Sequence, residues 1–125
     1  SNTNNTFAIY MMGLVLEWVK EQGGVAKLEA QNNAKAKLLY DVVDASDFYL
    51  GVADPAHRSI MNVTFNLAKS DLLDAFVEQA LEAGLYALKG HRDVGGARAS
   101  IYNAMPIEGC VALAEFMVEF EKNNA

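Results

Sequence analysis

Lys89-Gly-His-Arg-Asp-Val-Gly-Gly-Ala-Arg-Ala-Ser-Ile-Tyr-Asn-Ala-Met-Pro106 holds a loop, a strand and a helix start in one continuous run. Gly90, Gly95 and Gly96 mark Lys89 to Gly96 as a loop. From Ala97 to Tyr102 the residues alternate: Arg98, Ser100 and Tyr102 fall on one side, Ala99, Ile101 and Asn103 on the other, which is the period of a strand. Pro106 suits the first turn of a helix, where its missing N–H is no loss. Behind it Ile107, Val111, Leu113, Ala114, Phe116, Met117 and Phe120 supply an apolar face, and Cys110 among them reads as a small buried hydrophobe.

Outward from that segment, Leu85 to Leu88 is a short strand candidate. Before it, Asp71 to Ala83 is a helix capped by Ser70, with Leu72, Leu73, Phe76, Val77, Ala80 and Leu81 inward and Gly84 just past its end. Ser59 to Phe65 alternates and predicts a strand, with Ile60, Asn62 and Thr64 on one side and Met61, Val63 and Phe65 on the other. Asp44 to Arg58 is irregular, with a short strand around Tyr49 to Val52. Two helices open the chain. Phe7 to Gln22 repeats Phe7, Tyr10, Met11, Leu14, Val15, Trp18 and Val19 at three and four residues, with Thr6 as its cap and Gly23-Gly24 as its stop. Val25 to Val43 has a polar, alanine-rich middle, Glu29 to Lys37, which predicts partial exposure there. The expected order is helix, helix, strand, helix, strand, strand, helix. Few strands interspersed with helices predict an α+β fold, a small and mainly antiparallel sheet of about three strands covered by helices.

The chain has 125 residues, 52% apolar and 21% charged, which is one domain, 1–125, of ordinary globular composition. Its net charge of −6 disfavours nucleic acid and anionic membrane surfaces as partners. No apolar run approaches the ~20 residues of a membrane span. One cysteine allows no internal disulfide, and no signal peptide is visible, so a cytoplasmic location is expected. His57 and His91 lie in separate loops, and Asp41, Asp44 and Asp47 read as a solvated turn at a helix end, so no metal site is expected.

The loop from Gly90 to Arg98 stands apart chemically. Gly90 and Gly95 have the spacing of a phosphate-binding loop, but Gly96-Ala97 replace the Lys-Ser/Thr that such a loop needs. What remains is His91, Arg92 and Arg98 around a flexible turn in an acidic protein. Arginine offers a planar fork that matches carboxylate or phosphate. Two readings stay open: an anion site, or a hairpin loop whose charges are solvated. A hairpin needs the glycines but not two arginines and a histidine. Arg98, on a strand, would be the fixed cation of such a site. The polar N-terminal run Asn2-Thr3-Asn4-Asn5-Thr6 suits either phosphate binding ahead of a helix or plain capping.

The whole segment from Lys89 to Pro106 resembles the C-terminal signature of the phosphoserine aminotransferase family. Asp44-Ala-Ser-Asp-Phe-Tyr49, Arg58-Ser-x-Met-Asn-Val63, Leu38-Leu-Tyr40, Gly13-Leu-Val-x-Glu-Trp18 and Glu119-Phe-Glu121 are similar too, so the likeness runs along essentially the whole chain. The resemblance implies the C-terminal domain of a fold-type-I enzyme dependent on pyridoxal 5'-phosphate (PLP), working as a homodimer with its own N-terminal large domain. The implied reaction is amino transfer between glutamate and 3-phosphohydroxypyruvate, giving phosphoserine and 2-oxoglutarate, in serine and pyridoxine biosynthesis.

By motif position, Arg98 would clamp the substrate α-carboxylate, and His91 and Arg92 the phosphate or the side-chain carboxylate of glutamate. Asn2 and Thr3 would reach the PLP phosphate of the partner subunit. The Schiff-base lysine would lie outside this chain, which alone is then expected to be inactive, with no catalytic residue of its own. Two departures bear on these roles. Asn4-Asn5 stand where the family often has two prolines, which loosens the segment presenting Asn2 and Thr3. Asp93 puts a carboxylate between Arg92 and Arg98, where it either lowers the local positive potential or turns away. The competing classes are a free-standing module binding a small phosphorylated acid and a structural dimerisation module.

Overall fold

The computed structural model describes residues 2–125. Helix α1 spans Thr6–Glu21, α2 Val25–Asp44, α3 Leu73–Glu82 and α4 Ile107–Asn124; strands β1, β2 and β3 span Tyr49–Gly51, Asn62–Leu67 and Ala97–Ser100. Two compact units divide the chain at residue 31, within α2.

The first unit is built on α1. Its cap is Asn5 rather than Thr6: the Asn5 side chain accepts from the Ala8 N–H at 3.1 Å. Gly23 and Gly24 end it at φ +99° and +87°, a backbone that favours glycine. No residue of α1 is buried. The expected stripe of Phe7, Tyr10, Met11, Leu14 and Val15 is exposed, and so are Ile9, Met12 and Leu16 on the opposite side.

The second unit is the α+β fold expected. Its sheet has the order β1-β2-β3, antiparallel throughout. Val63, Phe65 and Leu67 of β2 and Ala97 and Ala99 of β3 point into the core, while Asn62, Thr64, Arg98 and Ser100 are half-buried on the other face. Alternation forces this division: successive side chains leave a strand on opposite sides. Core contributions come from Leu39 and Val43 of α2, Phe76 and Ala80 of α3, and Cys110, Leu113, Met117 and Phe120 of α4. Phe76 sits at the centre of edge-to-face pairs with Tyr49, Phe65 and Phe120, at 5.1 to 6.1 Å between ring centres. The buried Tyr49 hydroxyl donates to the Met117 carbonyl at 2.8 Å.

Several boundaries differ from the sequence expectation for local reasons. β2 starts three residues later than the predicted strand because Ser59 makes a turn: its hydroxyl accepts from the N–H of both Met61 and Asn62 at 3.1 Å. The strand expected over 85–88 does not form, since Ala87 has φ +59°; only Lys89 bridges to Ala97. The third strand of the sheet is Tyr49–Gly51, the short strand expected around Tyr49 to Val52, so the order is helix, helix, strand, strand, helix, strand, helix. Ser70 opens a single 3-10 turn without a side-chain cap, and α3 begins at Leu73. Leu81, Ile107 and Val111, expected inward, are exposed.

The polar middle of α2 is the largest departure. Asn32 and Lys35 are buried, at 4% and 2% exposure. Lys35 Nζ donates to the carbonyls of Ile101, Tyr102 and Met105 at 3.3, 2.8 and 3.0 Å. Asn32 Nδ2 donates to Asn103 Oδ1 at 2.6 Å. Together they tie down the turn that follows β3.

Candidate anion-binding site

Arg98 lies within β3, opposite Thr64 of β2. Its backbone N–H donates to the Leu88 carbonyl at 2.8 Å, so the strand is held on both sides. Ser100, the next residue on the same face, donates from its hydroxyl to Asn62 Oδ1 at 3.0 Å. Arg98 has no carboxylate partner among the described residues, and its Nε is buried without a hydrogen-bond acceptor. A buried guanidinium N–H lacking an acceptor is costly. A ligand carboxylate would satisfy it, taking two parallel N–H bonds from the fork.

The glycine loop leads directly to this residue. Gly90 N–H donates to the Gly96 carbonyl at 2.8 Å, and the His91 carbonyl accepts from Val94 and Gly95 at 3.0 and 2.7 Å. Gly95 and Gly96 have φ of +76° and +65°. Gly96 also packs where a Cβ would collide with Asn66 Oδ1 and stand 2.8 Å from the Phe65 carbonyl. The loop closure therefore rests on β2 through a contact only glycine permits.

His91 and Arg92 sit at the exposed tip, with side chains 56% and 89% accessible. Asp93 is turned toward them and not away. Its carboxylate lies 3.5 Å from His91 Nδ1 and 3.6 Å from Arg92 Nε. The Asp93 N–H also donates to His91 Nδ1 at 3.3 Å. The loop thus brings His91, Arg92 and Arg98 onto one segment, but with Arg92 already beside a carboxylate.

Asn2 and Thr3 belong to the first unit and are exposed ahead of α1. Their amide and hydroxyl donors suit the phosphate group of a cofactor. Lys35 is the one buried lysine among the described residues, and three backbone carbonyls engage its ammonium. Lys37 and Lys89 pair with Asp41 and Asp74 at the surface, and Lys69 donates to the Asn124 carbonyl. Asn2 and Thr3 in the first unit, and His91, Arg92 and Arg98 in the second, are each of a residue type suited to an anionic group.

Asn62 and Thr64 were absent from the sequence candidates, although their shared side of a predicted strand was visible. Register alone brings them beside Ser100 and Arg98. Lys35 and Asn32 left a signal too: with Leu28, Leu39 and Val43 they repeat at helical spacing, on one side of α2.

The model of the family "Aminotransferase class-V" matches residues 1–113, and the chain belongs to that family. Within it, the likeness is to one kind of enzyme. The chain is 59% identical over 124 residues to the phosphoserine aminotransferase of Nitrosomonas europaea and 58% identical over 124 residues to that of Lactococcus lactis subsp. cremoris. Those alignments take in 99% and 98% of this chain but 34% of each relative. Among solved structures, phosphoserine aminotransferase from Bacillus circulans subsp. alkalophilus is similar at a TM-score of 0.92 and 46% identity, over 99% of this chain and 35% of that one. The PLP-bound phosphoserine aminotransferase from Trichomonas vaginalis is similar at 0.85 and 38%, over 94% and 34%. The chain thus spans about a third of the length of the relatives it matches. Among the described residues, no helix is long and apolar enough to cross a membrane.

Proposed function

We propose that this chain is the C-terminal, substrate-recognising domain, 1–125, of a PLP-dependent phosphoserine aminotransferase. The enzyme would move an amino group reversibly between glutamate and 3-phosphohydroxypyruvate, in serine and pyridoxine biosynthesis in the cytoplasm. The observation that carries the reading is Arg98: a strand-borne guanidinium whose buried Nε has no acceptor, at the end of a loop carrying His91 and Arg92.

Both amino donors, glutamate and phosphoserine, present an α-carboxylate and a second anion farther out. Arg98 would take the shared carboxylate through its Nε and an Nη, a two-bond grip that fixes rotation as well as position. β3 supplies the rigidity, paired to β2 on one side and to Leu88 on the other. His91 and Arg92 would meet the distal anion, phosphate or side-chain carboxylate; their exposure on a turn suits a group whose size differs between substrates. Asn2 and Thr3 would donate to the cofactor phosphate of the partner subunit in a homodimer. The cofactor, held mainly by the N-terminal large domain, would supply the electron sink for amino transfer.

The test uses the full-length enzyme that contains this chain. Arg98→Ala should lower kcat/KM about 100- to 1000-fold with either amino donor, the loss of a two-bond charged contact of ~3–4 kcal/mol. A variant within a few-fold of wild type would refute the assignment. The 125-residue chain supplied with PLP should not transaminate.

A further inference from the structure

We infer that Asp93 is a specificity determinant of this site, one that penalises the distal phosphate more than the distal carboxylate; the inference rests on the functional reading above. Its basis is the charge balance of the loop. The Asp93 carboxylate stands 3.6 Å from Arg92 Nε and 3.5 Å from His91 Nδ1. Arg92 and Asp93 thus set one positive charge against one negative at the tip. Lys89, at the loop's start, points to Asp74 at 3.2 Å. Arg98 is left as the site's cation without a carboxylate neighbour among the described residues.

A distal anion reaching Arg92 must displace Asp93 or sit beside it. Either way the cost scales with the anion's charge. A carboxylate brings one negative charge, and a phosphate monoester above pH 7 brings nearly two. At a separation of ~6 Å in a water-like dielectric, each ligand charge facing a carboxylate weakens binding about threefold. The penalty is then about threefold for glutamate and about ninefold for phosphoserine. The α-carboxylate is common to both and cancels from the ratio. Solvent exposure of Asp93 makes the effect sensitive to salt, since surface charges are screened within ~8 Å at physiological ionic strength.

The experiment is a single-turnover titration of the full-length holoenzyme at pH 8 with phosphoserine and with glutamate, for wild type, Asp93→Asn and Asp93→Ser. Dissociation constants at low salt should tighten about ninefold for phosphoserine and about threefold for glutamate in both variants, and the gains should shrink in 0.5 M salt (~4 Å screening length). Weaker binding of both donors would overturn the inference and make Asp93 a loop brace. Equal gains, or none, would overturn it as well. Failure here stays distinct from failure of the functional reading: wild type that does not turn over phosphoserine, or an unimpaired Arg98→Ala, sinks that reading. Normal behaviour of those two with an indifferent Asp93→Asn sinks only this one.

Discussion

Lys35→Met removes an ammonium from the core while keeping most of its apolar stem, and the structure sets the scale of the loss. Three backbone carbonyls accept from Nζ at 2.8 to 3.3 Å. Hydrogen bonds from a charged donor are worth ~1.5–3 kcal/mol each, so the gross contribution is ~4.5–9 kcal/mol. Two effects reduce it. Burial holds the lysine pKa below its usual value, with the nearby Cys110 acting the other way, so the ammonium is incompletely compensated for its lost water. Tyr102 and Met105 are exposed residues, and their carbonyls can reach solvent once freed; Ile101 cannot. A net loss of about 3 kcal/mol follows, in line with removing one partner of a buried charged contact. That is a ~100-fold drop in the folding equilibrium, a Tm lower by ~10–15 °C for a domain of this size, and a urea midpoint lower by ~1.5–2 M. Urea unfolding of the 125-residue chain followed by far-ultraviolet circular dichroism reads it directly. A loss below ~1 kcal/mol with an unchanged m-value would show that the stem, not the ammonium, holds the Ile101–Met105 turn.

Two further measurements probe the same architecture. Gly96→Ala should cost more than ~2 kcal/mol, because its Cβ would strike Asn66 and the Phe65 carbonyl at φ +65°, whereas Gly95→Ala, at φ +76° in open space, should cost only the ~1 kcal/mol of a left-handed alanine; equal Tm shifts would refute the contact. Arg58 donates from Nη1 and Nη2 to the two Asp44 oxygens at 2.7 Å and lies 4.6 Å over the Tyr40 ring. The Arg58 hydrogen bond holds the Asp44 carboxyl below the usual aspartate range, against a smaller opposing effect of burial. A depressed carboxyl pKa contributes stability above the unfolded value and loses it as pH falls through the folded one. Wild type should therefore exceed Asp44→Asn by a constant margin above about pH 5, a margin that narrows below pH 4; a margin independent of pH down to 2 would refute the ion pair's role.

How much was legible in the sequence varies with the range of the forces involved. Local chemistry was readable: glycines ended α1, alternation marked the two polar-faced strands, and Arg98 was recognisable as a fixed cation on one of them. The α+β class followed from those elements, and the short strand expected around Tyr49 to Val52 formed at Tyr49–Gly51, whereas the one expected over 85–88 did not form. Nothing near Ala87 in sequence announces its positive φ. Ser59 could have been read as a turn-former, but its two N–H acceptances compete with strand extension on nearly equal terms.

What the sequence determined by itself was the identity and spacing of the groups: a histidine, an arginine and a carboxylate on a glycine loop, and a second arginine on the strand that leads from it into a helix. Only the tertiary structure decided which of them remain available. Asp93 turned toward Arg92, Arg98 kept a buried N–H without an acceptor, and Lys35 left the apparent polar surface of α2 to hold the turn after β3. The reason is physical. Backbone propensity and alternation act over a few residues, whereas the pairing of a charge depends on which distant backbone or carboxylate the fold brings within ~3–4 Å of it.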